Sequence, residues 1–255
     1  MKYEFKTEPF AHQKTALLRS WNKPNYGLFM EMGTGKSKVL IDTIGILYGK
    51  GAINAVVIVA PKGVYRNWST KEIPDHMPDH IDTHVAVWSP APRKQEKADL
   101  VKLFHNDLDK LKIFLINVEA FSTPKGVKFT ENFILGHQVL FAVDESTTIK
   151  NPKASRTKAI TKLAKNTKYR RILTGSPITQ SPLDLYSQTE VLDTNLLGYT
   201  SFYSFQNHYG EVVNRYFGGR TVRQVVGYRN LDELSQKLDS FSYRVLKSDC
   251  LDLPE

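Results

Sequence analysis

The chain has 255 residues, 41% hydrophobic and 24% charged, a balance that buries a sizeable core in one large domain, or in one domain with an appendage, and excludes a disordered protein. One cysteine, Cys250, excludes an internal disulfide and a cysteine-built zinc site and fits a reducing cytosol. The formal net charge of +9 favours a polyanionic partner without saying which.

The N-terminal Met-Lys-Tyr-Glu-Phe-Lys mixes charges with aromatics and lacks the apolar core of a signal peptide. Tyr26–Met30 is a short apolar run entering a glycine-rich turn, and Lys36–Tyr48 carries Val39, Leu40, Ile44 and Leu47 at helical spacing. Ile53–Ala60, the longest apolar stretch, is interrupted by Asn54 and closed by Pro61. It suits a buried strand and is far too short to span a bilayer, so no membrane partner is expected and the expected location is the cytoplasm. Val64–Met77 reads as a helix interrupted at Pro74, Thr83–Trp88 as a strand and Lys94–Phe104 as an amphipathic helix. Lys112–Asn117, Val139–Val143 and Arg171–Thr174 are further strand candidates with helical segments between them. Strands separated by helices predict a mostly parallel sheet covered on both faces, a doubly wound α/β fold. After about Leu192 the texture changes. An aromatic segment, Tyr199–Tyr209, precedes two strands around Gly218-Gly219 and a helix over Leu231–Phe241. The predicted organisation is one doubly wound domain over residues 1–192 and an appendage over 193–255. The ending Asp252-Leu253-Pro254-Glu255 reads as if cut from a longer chain.

Two segments carry chemistry. Met30-Glu-Met-Gly-Thr-Gly-Lys-Ser37 fits a phosphate-binding loop, with Gly33 and Gly35 as flexible positions and Met30 where the general pattern has its first glycine. Met32, Gly33, Thr34, Gly35 and Lys36 would cradle the phosphates of ATP through backbone N–H groups, the positive end of the following helix and the Lys36 ammonium, while Ser37 would ligate Mg²⁺. Val139-Leu-Phe-Ala-Val-Asp144-Glu145 ends a buried strand in two carboxylates, where ligands gather in open α/β sheets. Asp144 would hold Mg²⁺, and Glu145 would orient and deprotonate water. Lys36, Asp144 and Glu145 are therefore the catalytic candidates.

In this order the motifs resemble the first RecA-like motor domain of superfamily two helicases, and more closely its Swi/Snf-type branch, including compact phage or bacterial members. Phe10-Ala-His-Gln13 resembles the adenine-reading motif, which implies that Gln13 bonds the adenine edge. Ile58-Val-Ala-Pro61-Lys62, followed by Asn67-Trp68, resembles the family's DNA-contacting segment, and Asn117 falls at a strand end on the same side. Asp144-Glu-Ser-Thr147 with Ile149-Lys150-Asn151 resembles the acidic box, whose usual last two residues, Ala-His, are Ser-Thr here. Leu173-Thr174-Gly175-Ser176-Pro177 resembles the motif coupling ATP state to DNA grip, with Thr147 as its partner. Ser181–Tyr186 and Tyr243–Pro254 resemble the stretch that closes the first motor domain.

The resemblance implies an ATP- and Mg²⁺-dependent motor on DNA, read as double-stranded, with DNA contacts at Pro61, Lys62, Asn117, Lys150 and Arg156. It also implies a second RecA-like lobe in the same parent chain, whose arginine finger is worth roughly 10³–10⁵ in rate in related enzymes. A chain without that lobe is expected to hydrolyse ATP very slowly. A phage-encoded protein would work in the host cytoplasm, and the oligomeric state is not encoded in any motif. Two readings remain for the nine basic and no acidic side chains between Lys150 and Arg171, a solvated helix face or a nucleic-acid contact. Trp68 reads as core, and so does the aromatic segment. Rival functions are a strand-separating helicase and an ATP-regulated switch module without translocation. A small-molecule kinase leaves Phe10–Gln13 and Thr174–Pro177 without a reason.

Overall fold

The computed structural model describes residues 3–105 and 110–250. Each apolar run becomes one strand: β1 (Asn25–Met30), β2 (Ala55–Ala60), β3 (Thr83–Val87), β4 (Leu111–Asn117), β5 (Val139–Asp144) and β6 (Tyr169–Leu173). The helices α1 (Ala11–Ser20), α2 (Lys36–Gly49), α3 (Ile73–His76), α4 (Lys94–Lys102), α5 (Pro124–Leu135) and α6 (Ser155–Ala164) precede or separate them, and α7 (Leu185–Leu192) follows β6. Then follow α8 (Phe202–Tyr209), the hairpin β7 (Gly210–Phe217) and β8 (Arg220–Tyr228), α9 (Leu231–Asp239) and β9 (Ser242–Val245).

The large sheet has seven strands in the order β3-β4-β2-β5-β6-β1-β9, and all pairings are parallel. Side chains alternate across each strand, so the apolar runs feed two cores. Val57, Val59, Phe114, Ile116, Phe141, Val143 and Ile172 face one, together with Phe133 of α5 and Ile160 of α6. Val56, Ile58, Ile113, Leu115, Leu140, Ala142 and Leu173 face the other, with Leu17 of α1 and Leu40, Ile41 and Ile44 of α2. Register then brings the chemistry to one edge. Ala60 pairs with Asn117, Asp144 with Leu173 and Leu173 with Leu28, so the chain leaves β1, β2, β4, β5 and β6 at a common carboxyl-terminal rim.

Two segments differ from expectation. The predicted helix over Val64–Met77 is a turn, a π-helical turn at Trp68–Glu72 and the short α3. The Ile73 N–H reaches back to the Trp68 carbonyl, and Pro74, lacking an N–H, cannot continue an α-helical ladder. In segment 193–255, Ser242–Val245 returns to the large sheet as an edge strand beside β1, from Gly27–Ser242 to Met30–Val245. The aromatic helix α8 packs as core: Phe205 and Tyr209 are fully buried against Tyr186 and Tyr199. Of the closing stretch Tyr243–Pro254, residues beyond Cys250 lie outside the described residues. No helix among the described residues is long and apolar enough to cross a membrane.

Candidate nucleotide site

The phosphate loop connects β1 to α2, and its shape depends on glycine. Gly33 and Gly35 have φ of 85° and 86°, left-handed values that other residues rarely adopt. A Cβ on Gly35 would also sit on the Gln13 amide. Helix α1 braces the loop from outside, because the His12 ring and the Gln13 Nε2 both donate to the Thr34 carbonyl, at 2.8 and 3.1 Å. Gln13 is 5% exposed, and its Oε1 accepts from the Phe10 amide. One lone pair of that oxygen and one amide N–H are left without a protein partner among the described residues. Beyond the loop, the Lys247 amide donates to Glu31 Oε2 at 2.8 Å and the Glu31 amide to the Val245 carbonyl, which ties the end of β9 to the loop.

Lys36, Asp144, Glu145 and Thr174 converge at the sheet rim. Lys36 Nζ lies 3.3 Å from Glu145 Oε1, and Thr174 Oγ1 donates to Glu145 Oε2 at 3.5 Å. Thr174 Oγ1 also accepts from the Ser176 amide. Glu145 adopts φ 47° and ψ 59°, a strained conformation for a residue with a side chain and one that clusters at functional sites. Asp144 Oδ1 accepts from the Glu145 amide, and Oδ2 accepts from the Trp68 indole, both at 3.0 Å. Burial pushes the Asp144 carboxyl up to about 6, against the lowering effect of the Trp68 hydrogen bond and of Lys36. A carboxylate held this far from water gains from a nearby cation.

The donor set suits Mg²⁺. Asp144 supplies one carboxylate, and among the described residues the Ser37 hydroxyl has no hydrogen-bond partner. No group of three or more His, Cys, Asp or Glu side chains gathers there or elsewhere among the described residues. Few protein ligands with room for water and phosphate oxygens is how Mg²⁺ is held in ATPases.

A hydrogen-bonded path joins the acidic box to the loop after β6. Thr147 makes no side-chain hydrogen bond to the coupling loop among the described residues. Its neighbour Ser146 donates to Gln188 Oε1 at 2.6 Å, and Gln188 Nε2 donates to the Pro177 carbonyl at 2.7 Å. Thr174 bonds Glu145 and the Ser176 amide, and Gly175 lies against the Met32 backbone. Ser146 is fully buried, which leaves no space for a long side chain at that position of the box.

The expected DNA contacts divide. Pro61 and Lys62 emerge from β2 at the rim, and Lys62 is exposed with no protein partner among the described residues. Asn117 is half-buried beside them and donates to Glu119. Lys150 is spent on the segment after the coupling motif, donating to Thr179 Oγ1 and Gln180 Oε1 with Asp184 at 3.5 Å, so it is a tie and not an open cation. Arg156 is half-buried at the start of α6. The basic run also turns inward at its end. Arg171 is fully buried and donates to the carbonyls of Ser20, Lys23, Pro24 and Arg170, while Arg170 donates to those of Thr167, Lys165 and Leu192. Lys153, Lys158, Lys162, Lys165 and Lys168 remain as the exposed basic face.

Trp68 and Gln188 touch the candidate site residues without having been singled out from the sequence as doing so. Trp68 is core, 2% exposed, yet its polar edge serves Asp144. The Asn67-Trp68 pair trailing the DNA-contacting segment was the available signal.

Comparison with known proteins agrees with this geometry. The chain is 28% identical over 221 residues to "DNA annealing helicase and endonuclease ZRANB3" of Bos taurus and of Homo sapiens, covering 87% of this chain and 19% of each relative. It thus spans about a fifth of their length. A Caenorhabditis elegans homologue of the SWI/SNF-related matrix-associated actin-dependent regulator of chromatin subfamily A-like protein 1 is 32% identical over 134 residues, 49% of this chain and 19% of that one. The fold matches the Sulfolobus solfataricus SWI2/SNF2 ATPase core solved with dsDNA, at TM-score 0.69 and 20% identity over 99% of this chain and 48% of that one. The same core domain in another structure matches at TM-score 0.68 and 23% identity over 100% and 47%. Residues 12–255 match the SNF2-related domain, and with the phosphate loop, acidic box and coupling strand on one rim, the chain belongs to that family, the Swi/Snf-type motor domains of superfamily two.

Proposed function

We propose that this chain is the first motor lobe of an ATP-driven translocase on double-stranded DNA, completed by a second RecA-like lobe in the same parent chain. The carrying observation is the convergence of Lys36, Asp144, Glu145 and Thr174 on one rim, beside an exposed Lys62. Mg²⁺, held by Ser37 and Asp144, would neutralise charge on the β- and γ-phosphates of ATP. Lys36 would exchange Glu145 for those phosphates when nucleotide binds. Glu145, kept in place by Thr174, would then orient a water for in-line attack and take its proton. That exchange is felt at Ser176 through Thr174, which offers a path from nucleotide state to the coupling loop. The relatives named as DNA annealing helicases and the neighbouring core solved with dsDNA support DNA as partner.

Titration with a fluorescent ATP analogue and Mg²⁺ tests the site. Lys36→Ala should weaken binding at least about tenfold, the loss of a charge-assisted phosphate contact, and Ser37→Ala should remove most of the Mg²⁺ dependence. Undiminished binding by Lys36→Ala would overturn the assignment. If ATP binds but a two-lobed parent shows no DNA-stimulated hydrolysis, the switch module without translocation is the better reading.

A further inference from the structure

The hairpin β7–β8 has no role in the nucleotide site, and its strands pair only with each other. An isolated two-stranded ribbon is at best marginally stable in water, so its root is anchored. Arg229 donates to the carbonyls of Asn207 and His208, and Arg223 bonds the Asn207 side chain and lies over the Tyr203 ring. Val225 packs against the core. Beyond that root both faces are open. Gly218 and Gly219, at φ 51° and 81°, form the tight two-residue turn, and Tyr216 is 75% exposed.

Register sorts the faces. Asn214 opposite Arg223 and Val212 opposite Val225 look toward α8. Arg215 opposite Val222, Val213 opposite Gln224, and Arg220 lie on the other face. Arg215 and Arg220 sit diagonally there, with Cα atoms about 7–8 Å apart. Both are exposed, with no hydrogen bond or ion pair among the described residues. No acidic residue occurs between Val212 and Tyr228. Eight residues of β7 give the ribbon a reach of roughly 26 Å, and a two-stranded ribbon fits the major groove of duplex DNA.

We propose that this hairpin is a second duplex-DNA contact, separate from the rim at Pro61-Lys62, in which Arg215 and Arg220 each take a backbone phosphate. This rests on the reading of the chain as a DNA motor. An uncompensated pair of guanidiniums on an open ribbon suits phosphate, whereas a protein partner on the same ribbon would be held by Val213, Val222 and Val226. The contact is independent of base sequence.

The test is fluorescence anisotropy of the full chain with a labelled mixed-sequence duplex across a salt series. The double variant Arg215→Gln/Arg220→Gln should flatten the slope of log K against log salt by about 1.8, and Lys62→Ala by about 0.9. At about 0.1 M salt the double variant should bind at least tenfold more weakly, and Arg215→Lys/Arg220→Lys should keep the original slope. Unchanged thermal melts verify folding of these exposed substitutions. A slope altered by Lys62→Ala but not by the double variant overturns the hairpin contact and leaves the motor reading intact. No salt-dependent binding by the unsubstituted chain overturns both.

Discussion

Asp144 ends β5 inside the protein, with an indole N–H on one oxygen and the Glu145 amide on the other. Its carboxyl titrates near 6 instead of 3.8, chiefly through burial. Between those values the folded state holds more protons than the unfolded one, so stability falls as pH rises from about 4 to about 6, and the cost is complete above that. Asp144→Asn removes the ionisation and keeps an oxygen acceptor for Trp68, at the loss, equal at every pH, of the acceptor for the Glu145 amide. It should therefore stabilise the nucleotide-free protein by roughly 1–3 kcal/mol more at pH 8 than at pH 4. It should also abolish the extra stability conferred by Mg·ATP. Trp68→Phe deletes the hydrogen bond that lowers this carboxyl, so the same fall should move to higher pH. Denaturant melts at the two pH values check both, and an equal effect of Asp144→Asn at pH 4 and pH 8 would refute the argument. Asp144, Lys36 and the loop could be read from residue types in order, because phosphate chemistry demands them locally. Trp68 as a partner of Asp144 could not, since that contact joins residues on different strand–loop units.

Elements were legible in proportion to how local their causes are. Val56–Val59 could hardly be anything but a buried strand, whereas Ser242–Val245 mixes polar and apolar residues too briefly to declare itself and becomes β9 by pairing with the edge of β1. The basic run shows the same limit. Charge counting cannot tell Lys168 from Arg171, but strand alternation puts Arg171 on the side of Tyr169 and Leu173, under the turn after α1. There its guanidinium satisfies the carbonyls of Ser20, Lys23 and Pro24, clamping the helix that braces the phosphate loop to the strand that becomes the coupling motif. Arg171→Met keeps the apolar stem but leaves three inward-facing carbonyls without that donor. The cost should be on the order of 3–5 kcal/mol. Hydrogen exchange should quicken first at residues 20–24, and uniform loosening of the whole sheet would contradict a local clamp.

For the molecule as a whole, the site is one-sided. Lys36, Ser37, Asp144, Glu145 and Thr174 all come from the rim of one sheet, and among the described residues none of them bonds an arginine. Arg171 is buried under α1 and Arg170 is bonded to carbonyls, while Arg215 and Arg220 lie on the hairpin, outside this rim. Charge developing on the γ-phosphate would thus meet Lys36 and Mg²⁺, and the arginine lining the cleft beside Glu31, Gly175 and Ser176 is Arg244, exposed on β9. An arginine supplied from a facing lobe is worth roughly 10³–10⁵ in rate in related enzymes. Starting from motor turnover of about 10 s⁻¹, that leaves on the order of 10⁻² s⁻¹ or less for this lobe alone. If a second lobe supplies that arginine, as proposed above, duplex DNA should bind this chain without accelerating hydrolysis. A coupled phosphate-release assay decides the matter: a polypeptide joining this lobe to its second one should gain at least a thousandfold with DNA. Turnover above about 1 s⁻¹ by this chain alone would mean that its own residues complete the site.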